Sequence, residues 1–337
     1  MANSVSNTNL RQELWRKQLF ADVRDTLYMT RFIGTGATSM IMEMTDLSKD
    51  KGSNISFGLG MKLSGDGITG DSELEGSEEK MTDYDEDVAI DQLRHAVRLT
   101  GQMDEQKNLY NMRMSAKDRL TDWWAERIDQ EIMDKLCGKA SSTFSNTPTS
   151  SDGTSMSVYA GGFSSFATVT AAAKMDCKVL DAAKQLAKLS TTKVRPLRVN
   201  GKQTYVAILH PYDATNLRQD PVWNQAQRDA NIRGETNPIF SGALGIYNGI
   251  VIHEHEYVYR TNDGSGSAYV ARNVLCGQQA GVIAWGKKVK WVEKTFDYGN
   301  KFGVSVGAIF GVIKPLFNSL DYGVITMACG SAAASTA

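Results

Sequence analysis

The chain has 337 residues, 42% of them hydrophobic and 22% charged, which is enough apolar material for one large or two ordinary folded domains. Thirty-seven basic side chains nearly cancel 38 acidic ones, and a formal net charge of -1 gives no sign of a protein built to cling to nucleic acid or to a membrane surface. No window approaches the roughly 20 apolar residues that span a bilayer, the polar stretch Met1–Asn9 lacks the layout of a signal peptide, and Cys137, Cys177, Cys276 and Cys329 are too scattered for a zinc knuckle or a disulfide framework. Synthesis in a cytoplasm, with reduced and mostly buried thiols, is the expectation.

Residues 1 to 36 mix Arg11, Arg16, Lys17, Arg24 and Arg31 with Leu10, Leu14, Trp15, Leu19 and Phe20, the pattern of a short amphipathic helix followed by an extended run. Next, Ile55, Phe57, Leu59, Met61 and Leu63 alternate with small or polar residues, so one face of a strand is apolar. The stretch that follows offers nothing to cover that face. From residue 64 to residue 87 it carries Asp66, Asp71, Glu73, Glu75, Glu78, Glu79, Asp83, Asp85, Glu86 and Asp87 against one cation, Lys80. The chain returns through Tyr84, Val88 and Ile90, then shifts phase by one residue into Leu93, Val97 and Leu99, which predicts a bulge. Residues 50 to 100 therefore read as a long two-stranded arm with a solvated acidic tip. Since an isolated hairpin is barely stable in water, its partner surface is expected on another chain.

A helical pattern starts at Asp104 as N-cap and runs through Leu109, Met112, Ala116, Leu120, Trp123, Trp124, Ile128, Ile132 and Leu136 to Gly138. It predicts a single spine of about 50 Å, with Lys117, Arg119, Asp122, Glu126, Asp129 and Asp134 on its charged outer face. Residues 139 to 170 are rich in Ser, Thr and Gly, a loop or insertion with one or two short strands near Met156 to Tyr159. A shorter helix is capped by Asp176. A compact α/β region follows: a strand Thr204 to Leu209, a turn at His210-Pro211, helices over Asp213 to Arg218 and Val222 to Ala230, a buried strand Gly249 to His255, and apolar segments Ala268 to Cys276 and Ala280 to Trp285. The chain ends in β character over Lys288 to Phe296, Phe302 to Val312 and Tyr322 to Met327.

Several motifs invite a chemical reading. Gly65-Asp66-Gly67-Ile68-Thr69-Gly70 fits the dinucleotide pattern, but no helix pattern follows to receive a pyrophosphate and the neighbouring carboxylates would repel one, so a flexible tip is the better reading. Asp83 to Asp87 begins like a calcium loop, yet Val88 stands where glycine is required and Arg94 where glutamate is, so a solvated loop is preferred to loose divalent binding by the tip. His253 and His255 share one face of a strand, a spacing that seeds a zinc site only if further ligands join it, and an ordinary strand facing solvent or a neighbour is preferred. No nucleophile elbow, zincin helix or Walker loop is present. No catalytic residue, metal or cofactor is predicted.

Three runs carry a resemblance: Tyr205 to Pro211 (YVAILHP), Asp220 to Trp223 (DPVW), and Pro238 to Glu254 (PIFSGALGIYNGIVIHE). In these runs, and in the order of arm, hairpin, spine helix, α/β module and returning strands, the chain resembles the major capsid proteins of tailed bacteriophages, and among them the subgroup typified by the coliphage N-four capsid protein. The resemblance implies an α+β, Hong Kong 97-type capsid fold. Residues 1–36 would be an N-terminal arm, 37–102 the extended loop, 103–172 a peripheral domain with the spine helix and the insertion, 173–286 an axial domain, and 287–337 a return to the peripheral domain with the C-terminal tail. It also implies self-assembly into hexamers and pentamers of an icosahedral shell in the host cytoplasm, a portal protein, a decoration protein as a candidate partner, and packaged double-stranded DNA held by weak non-specific contact. Because the chain starts at the arm, a separate scaffolding protein is expected. The interface with a neighbour is assigned to Ile55, Phe57, Leu59, Met61, Leu63, Glu78, Glu79 and Tyr84, and the genome- or scaffold-facing patch to Arg11, Arg16 and Lys17. The competing expectations are an encapsulin-type cellular compartment and, in a different class, a soluble metal-dependent enzyme using His253 and His255.

Overall fold

A computed structural model describes residues 28–45, 52–71, 73–108, 111–139, 156–199, 201–229 and 244–332. The amphipathic segment with Arg11, Arg16 and Lys17, and most of the Ser/Thr/Gly-rich insertion, lie outside the described residues. In chain order, a 3₁₀ turn (Met29–Phe32) leads into β1 (Ile33–Gly34) and β2 (Ile41–Met44), then β3 (Asn54–Gly60), β4 (Asp83–Ala89) and β5 (Asp91–Arg98). Helices α1 (Gln102–Lys107) and α2 (Met112–Leu136) precede β6 (Ser157–Tyr159), α3 (Cys177–Leu189), β7 (Leu197–Val199) and β8 (Lys202–Leu209). There follow α4 (Pro211–Gln219), α5 (Pro221–Asp229), β9 (Gly245–Tyr247), β10 (Ile250–Glu254), β11 (Arg260–Thr261) and β12 (Val270–Cys276). The chain closes with β13 (Gly281–Phe296), β14 (Lys301–Ile313), β15 (Leu316–Phe317), β16 (Leu320–Asp321) and β17 (Val324–Gly330).

Two units divide these elements: a larger one of Leu27–Leu93, Arg127–Lys288 and Ala308–Ala337, and a smaller one whose described part is Arg94–Glu126 and Val289–Gly307. The larger unit is organised on an eight-stranded mixed sheet of order β6-β17-β12-β8-β10-β9, with β7 added on β8 and β11 on β12. Its central strands are buried on both faces. That is why Val206–Leu209 and Val324–Gly330 read as nearly continuous apolar runs and not as alternations. Val179, Leu180 and Ala183 of α3 and Ala214 and Leu217 of α4 share one core with Ala207, Ile250, Leu275 and Met327 of the sheet. Each fully buried aliphatic side chain contributes roughly 1.5 to 3 kcal/mol.

Local chemistry sets the helix boundaries. Asp176 caps α3 by accepting a hydrogen bond from the Val179 amide at 3.0 Å. His210 precedes a proline at the first position of α4, and its Nδ1 accepts from the Tyr212 amide. Asn248 and Gly249, both at positive φ, make the tight turn between β9 and β10.

Four expectations need correction. The spine is two helices: Asn108 turns to an extended conformation after α1, and Asn111 opens α2 by accepting from the Met114 amide at 3.2 Å. The periodicity carried across this break because two asparagines that cap well are not strong breakers. Asp129 and Asp134 are buried and not on a charged outer face. The phase shift at Ile90 is no bulge, because there the chain leaves its pairing with β3 and enters a different sheet through β5. Finally, β17 does not rejoin the long strands before it but lies between β6 and β12 in the eight-stranded sheet.

A hairpin as the candidate functional site

Strands β3 and β4 pair only with each other, in antiparallel register from Asn54↔Ala89 to Gly60↔Asp83. The two-residue period gives the ribbon two unlike faces. One carries Ile55, Phe57 and Leu59 opposite Val88, Glu86 and Tyr84, and the other carries Ser56, Gly58 and Gly60 opposite Asp87, Asp85 and Asp83. The first face is buried or half-buried along its length, while the second is exposed.

Cover for the apolar face comes in part from distant segments of the same chain, and not wholly from another chain. Ile55 and Val88 belong to a small core with Met44, Val282, Ala284 and Ile313, and Phe57 packs against it. The Phe57 ring stands edge-on to Phe317 at 5.8 Å, and Phe317 meets Tyr322 in the same way at 5.9 Å. A buried Lys314–Asp321 ion pair of 2.9 Å braces the β15–β16 turn that presents Phe317. The root of the ribbon fits closely on the long strands. A side chain at Gly311 would collide with the Ala89 carbonyl, and one at Gly286 would collide with Ile90. These two glycines are interface residues that no motif announced.

Farther out the cover thins. Leu59, Met61 and Leu63 overhang a cavity of about 600 Å³ floored by Met42, Val282 and Phe317 and edged by Lys193 and Arg195. Met61 is 38% exposed and Leu63 55%. Residues 61 to 82, apart from the undescribed Ser72, contain no strand or helix, so the G-x-G-x-x-G run is followed by no helix there. Glu79 closes this segment on itself, accepting from the Ser64 amide at 2.6 Å, the Ser64 hydroxyl at 3.1 Å and the Gly65 amide at 2.7 Å. Those amide hydrogen bonds hold its carboxyl below the usual glutamate range. Glu78 accepts from the Gly76 amide at 2.8 Å. Tyr84 is half-buried opposite Leu59. Burial first, then Asp87 and Asp85, pushes the Glu86 carboxyl upward.

The histidines lead elsewhere. His253 and His255 are both buried and do not face solvent. The Tyr28 hydroxyl lies 2.6 Å from His253 Nδ1, and the Tyr28 ring centre lies 5.1 Å from that of His255. Asp129 completes this anchor by accepting from the Tyr28 amide at 2.6 Å and the Met29 amide at 3.1 Å. These contacts thus fasten Tyr28 and Met29. Among the described residues, no group of three or more His, Cys, Asp or Glu side chains is arranged to hold a metal ion, and no helix is long and apolar enough to cross a membrane.

The described residues thus form a mixed α+β body that includes a two-stranded ribbon pairing only with itself. Comparison with known proteins supplies the family. The model of the phage capsid protein family matches residues 3–333. The major capsid protein of Pseudomonas phage KPP25 is 34% identical over 366 aligned residues, 96% of each chain. Among solved structures, the capsid of Ralstonia phage GP4 matches with a TM-score of 0.85 and 30% identity over 100% of both chains. The Cyanophage Pam1 capsid asymmetric unit matches in fold, with a TM-score of 0.84 at 22% identity, over 98% of this chain and 100% of that one. The chain belongs to the phage capsid protein family. It is a major capsid protein that forms the icosahedral head of a tailed phage, a component of the virion and not an enzyme.

Proposed function

We propose that this subunit builds its shell in the Hong Kong 97 manner, as a member of the subgroup typified by the coliphage N-four capsid protein. In this reading residues 1–36 are the arm, 37–102 the extended loop, 103–172 and 287–337 the peripheral domain, and 173–286 the axial domain, with β17 crossing into the axial sheet. Hexamers and pentamers close through heterologous contacts, in which the extended loop of one subunit lies on the next. Leu59, Met61, Leu63, Glu78, Glu79 and Tyr84 make that contact, while Ile55 and Phe57 fasten the loop to its own subunit. Assembly takes place in the host cytoplasm with a separate scaffolding protein and a portal, and a decoration protein is a further partner. Arg11, Arg16 and Lys17 face genome or scaffold, and the packaged double-stranded DNA is held weakly, consistent with a net charge of -1.

The observation that carries this reading is the hairpin tip. The described residues of 61 to 82 contribute no strand or helix, and they expose Leu63, Ile68, Leu74 and Met81 next to a dense row of carboxylates. Large exposed apolar side chains rimmed by charge mark a surface that another molecule covers. Deleting residues 64 to 83 tests it. The subunit is expected to fold with unchanged secondary structure while shells fail to form or fall apart; an insoluble subunit would show the segment to be core and contradict the reading.

A further inference from the structure

In the smaller unit, the end of β13 presents a sheet face whose role in assembly is unassigned. Every residue from Val289 to Thr295 is exposed. Alternation puts Lys290, Val292, Lys294 and Phe296 on one face and Val289, Trp291, Glu293 and Thr295 on the other. On the second face, Lys117 of α2 reaches Glu293 at 2.5 Å. On the first, Arg98 of β5 lies over the Phe296 ring at 4.3 Å with Lys294 beside it at 5.1 Å, and the Ser305 hydroxyl bonds the Val292 carbonyl at 3.1 Å. Arg98, Lys290 and Lys294 are exposed, and none of them forms an ion pair with a described residue.

The hairpin has the opposite pattern on its open face. Asp83, Asp85 and Asp87 stand exposed in a row beside Gly60, Gly58 and Ser56, again with no ion pair to a described residue. Lys290 and Lys294 are four strand residues apart, and so are Asp83 and Asp87, a distance of about 13 Å in each case. Each face carries three charges, opposite in sign to those of the other, and the pair Lys290 and Lys294 matches the pair Asp83 and Asp87 in spacing, so the two faces are complementary.

We propose that the Asp83, Asp85 and Asp87 face of the hairpin in one subunit docks onto the Arg98, Lys290 and Lys294 face of β13 and β5 in another copy of the chain. The inference rests on the reading that the extended loop lies on a neighbour, and it specifies the surface that receives it. Genomic DNA is the competing occupant of a basic face, but an acidic ladder of equal length on the same chain is the better match in stoichiometry and in shape.

Charge reversal tests this in the full chain, with folding checked by circular dichroism and shells counted by electron microscopy and sedimentation. The triple variant Asp83→Lys, Asp85→Lys, Asp87→Lys and the triple variant Arg98→Glu, Lys290→Glu, Lys294→Glu are each expected to fold and to lose shells at least tenfold. Combining all six changes in one chain is expected to restore them. Either triple variant assembling like the wild type would overturn the inference, as would six-fold variants that stay unassembled. So would basic-face variants that form normal shells but hold less DNA, because the face would then belong to the genome. Wild-type shells in which the hairpin lies on its own subunit would instead remove the extended-loop reading and this inference with it.

Discussion

Replacing Phe57 with alanine separates the root of the hairpin from the rest of the subunit. The Phe57 ring is packed edge-on to Phe317 and lies against the core formed by Ile55, Val88, Val282 and Ile313. A fully buried Phe→Ala change costs about 3 to 5 kcal/mol, and for a half-buried ring roughly half of that, about 2 kcal/mol, is expected. Since β3 and β4 pair only with each other, the loss falls on the local opening of the ribbon and not on the eight-stranded sheet. At 1.4 kcal/mol per factor of ten, the open population should rise about 30-fold. Native-state hydrogen exchange reads this directly: amides of residues 55–59 and 84–88 should exchange about 30 times faster, while those of Val206–Ile208 and Val274–Cys276 keep their protection. Equal acceleration of both sets, or no change in either, would refute the claim that the ribbon is fastened at its root by these contacts.

The start of α4 carries two opposed titrations. Burial lifts the Asp213 carboxyl to about 6, and burial followed by the Arg260 charge lowers His210 to about 4. A raised carboxyl costs stability when ionised, and that cost disappears as pH falls from about 6 toward the ordinary 3.8; a depressed histidine loses its contribution as pH falls from 6.5 toward 4. The wild type should therefore be nearly flat in this window. Asp213→Asn should be more stable by up to about 3 kcal/mol at pH 7 and then decline on acidification, as measured by urea unfolding; a wild-type slope in the variant would refute this. Asp129→Ala removes the acceptor of two amides, at about 1 to 3 kcal/mol each, and should speed tryptic cleavage at Arg31 severalfold, whereas an unchanged rate would deny it the anchoring role. All four thiols are buried, and burial pushes Cys137 and Cys177 up to about 12, so native protein should resist alkylation at neutral pH and react fully once unfolded.

The sequence revealed elements better than partners. The alternation through Ile55, Phe57 and Leu59 gave the strand and its apolar face, and Asp176 and His210-Pro211 marked two helix starts, because caps and periodicity are local physics. Whether that face met its own subunit was not legible. Its seat on Phe317 and Val282 lies more than 200 residues away, and Gly286 and Gly311, which admit the hairpin root, look in sequence like ordinary strand glycines. The same limit hid the place of β17 and the burial of Asp129, whose partner is the backbone at Tyr28. Charge was legible as composition but not as surface: Asp83, Asp85 and Asp87 become an open row only once Tyr84, Glu86 and Val88 are known to face inward.

The central claim is that the shell closes through the extended hairpin. An icosahedral reconstruction of particles assembled from the full chain tests it most directly. Residues 61–82 of every subunit should lie against a neighbouring subunit, with Asp83, Asp85 and Asp87 within hydrogen-bonding reach of Arg98, Lys290 and Lys294. A tip folded back onto its own subunit within a closed shell would contradict it.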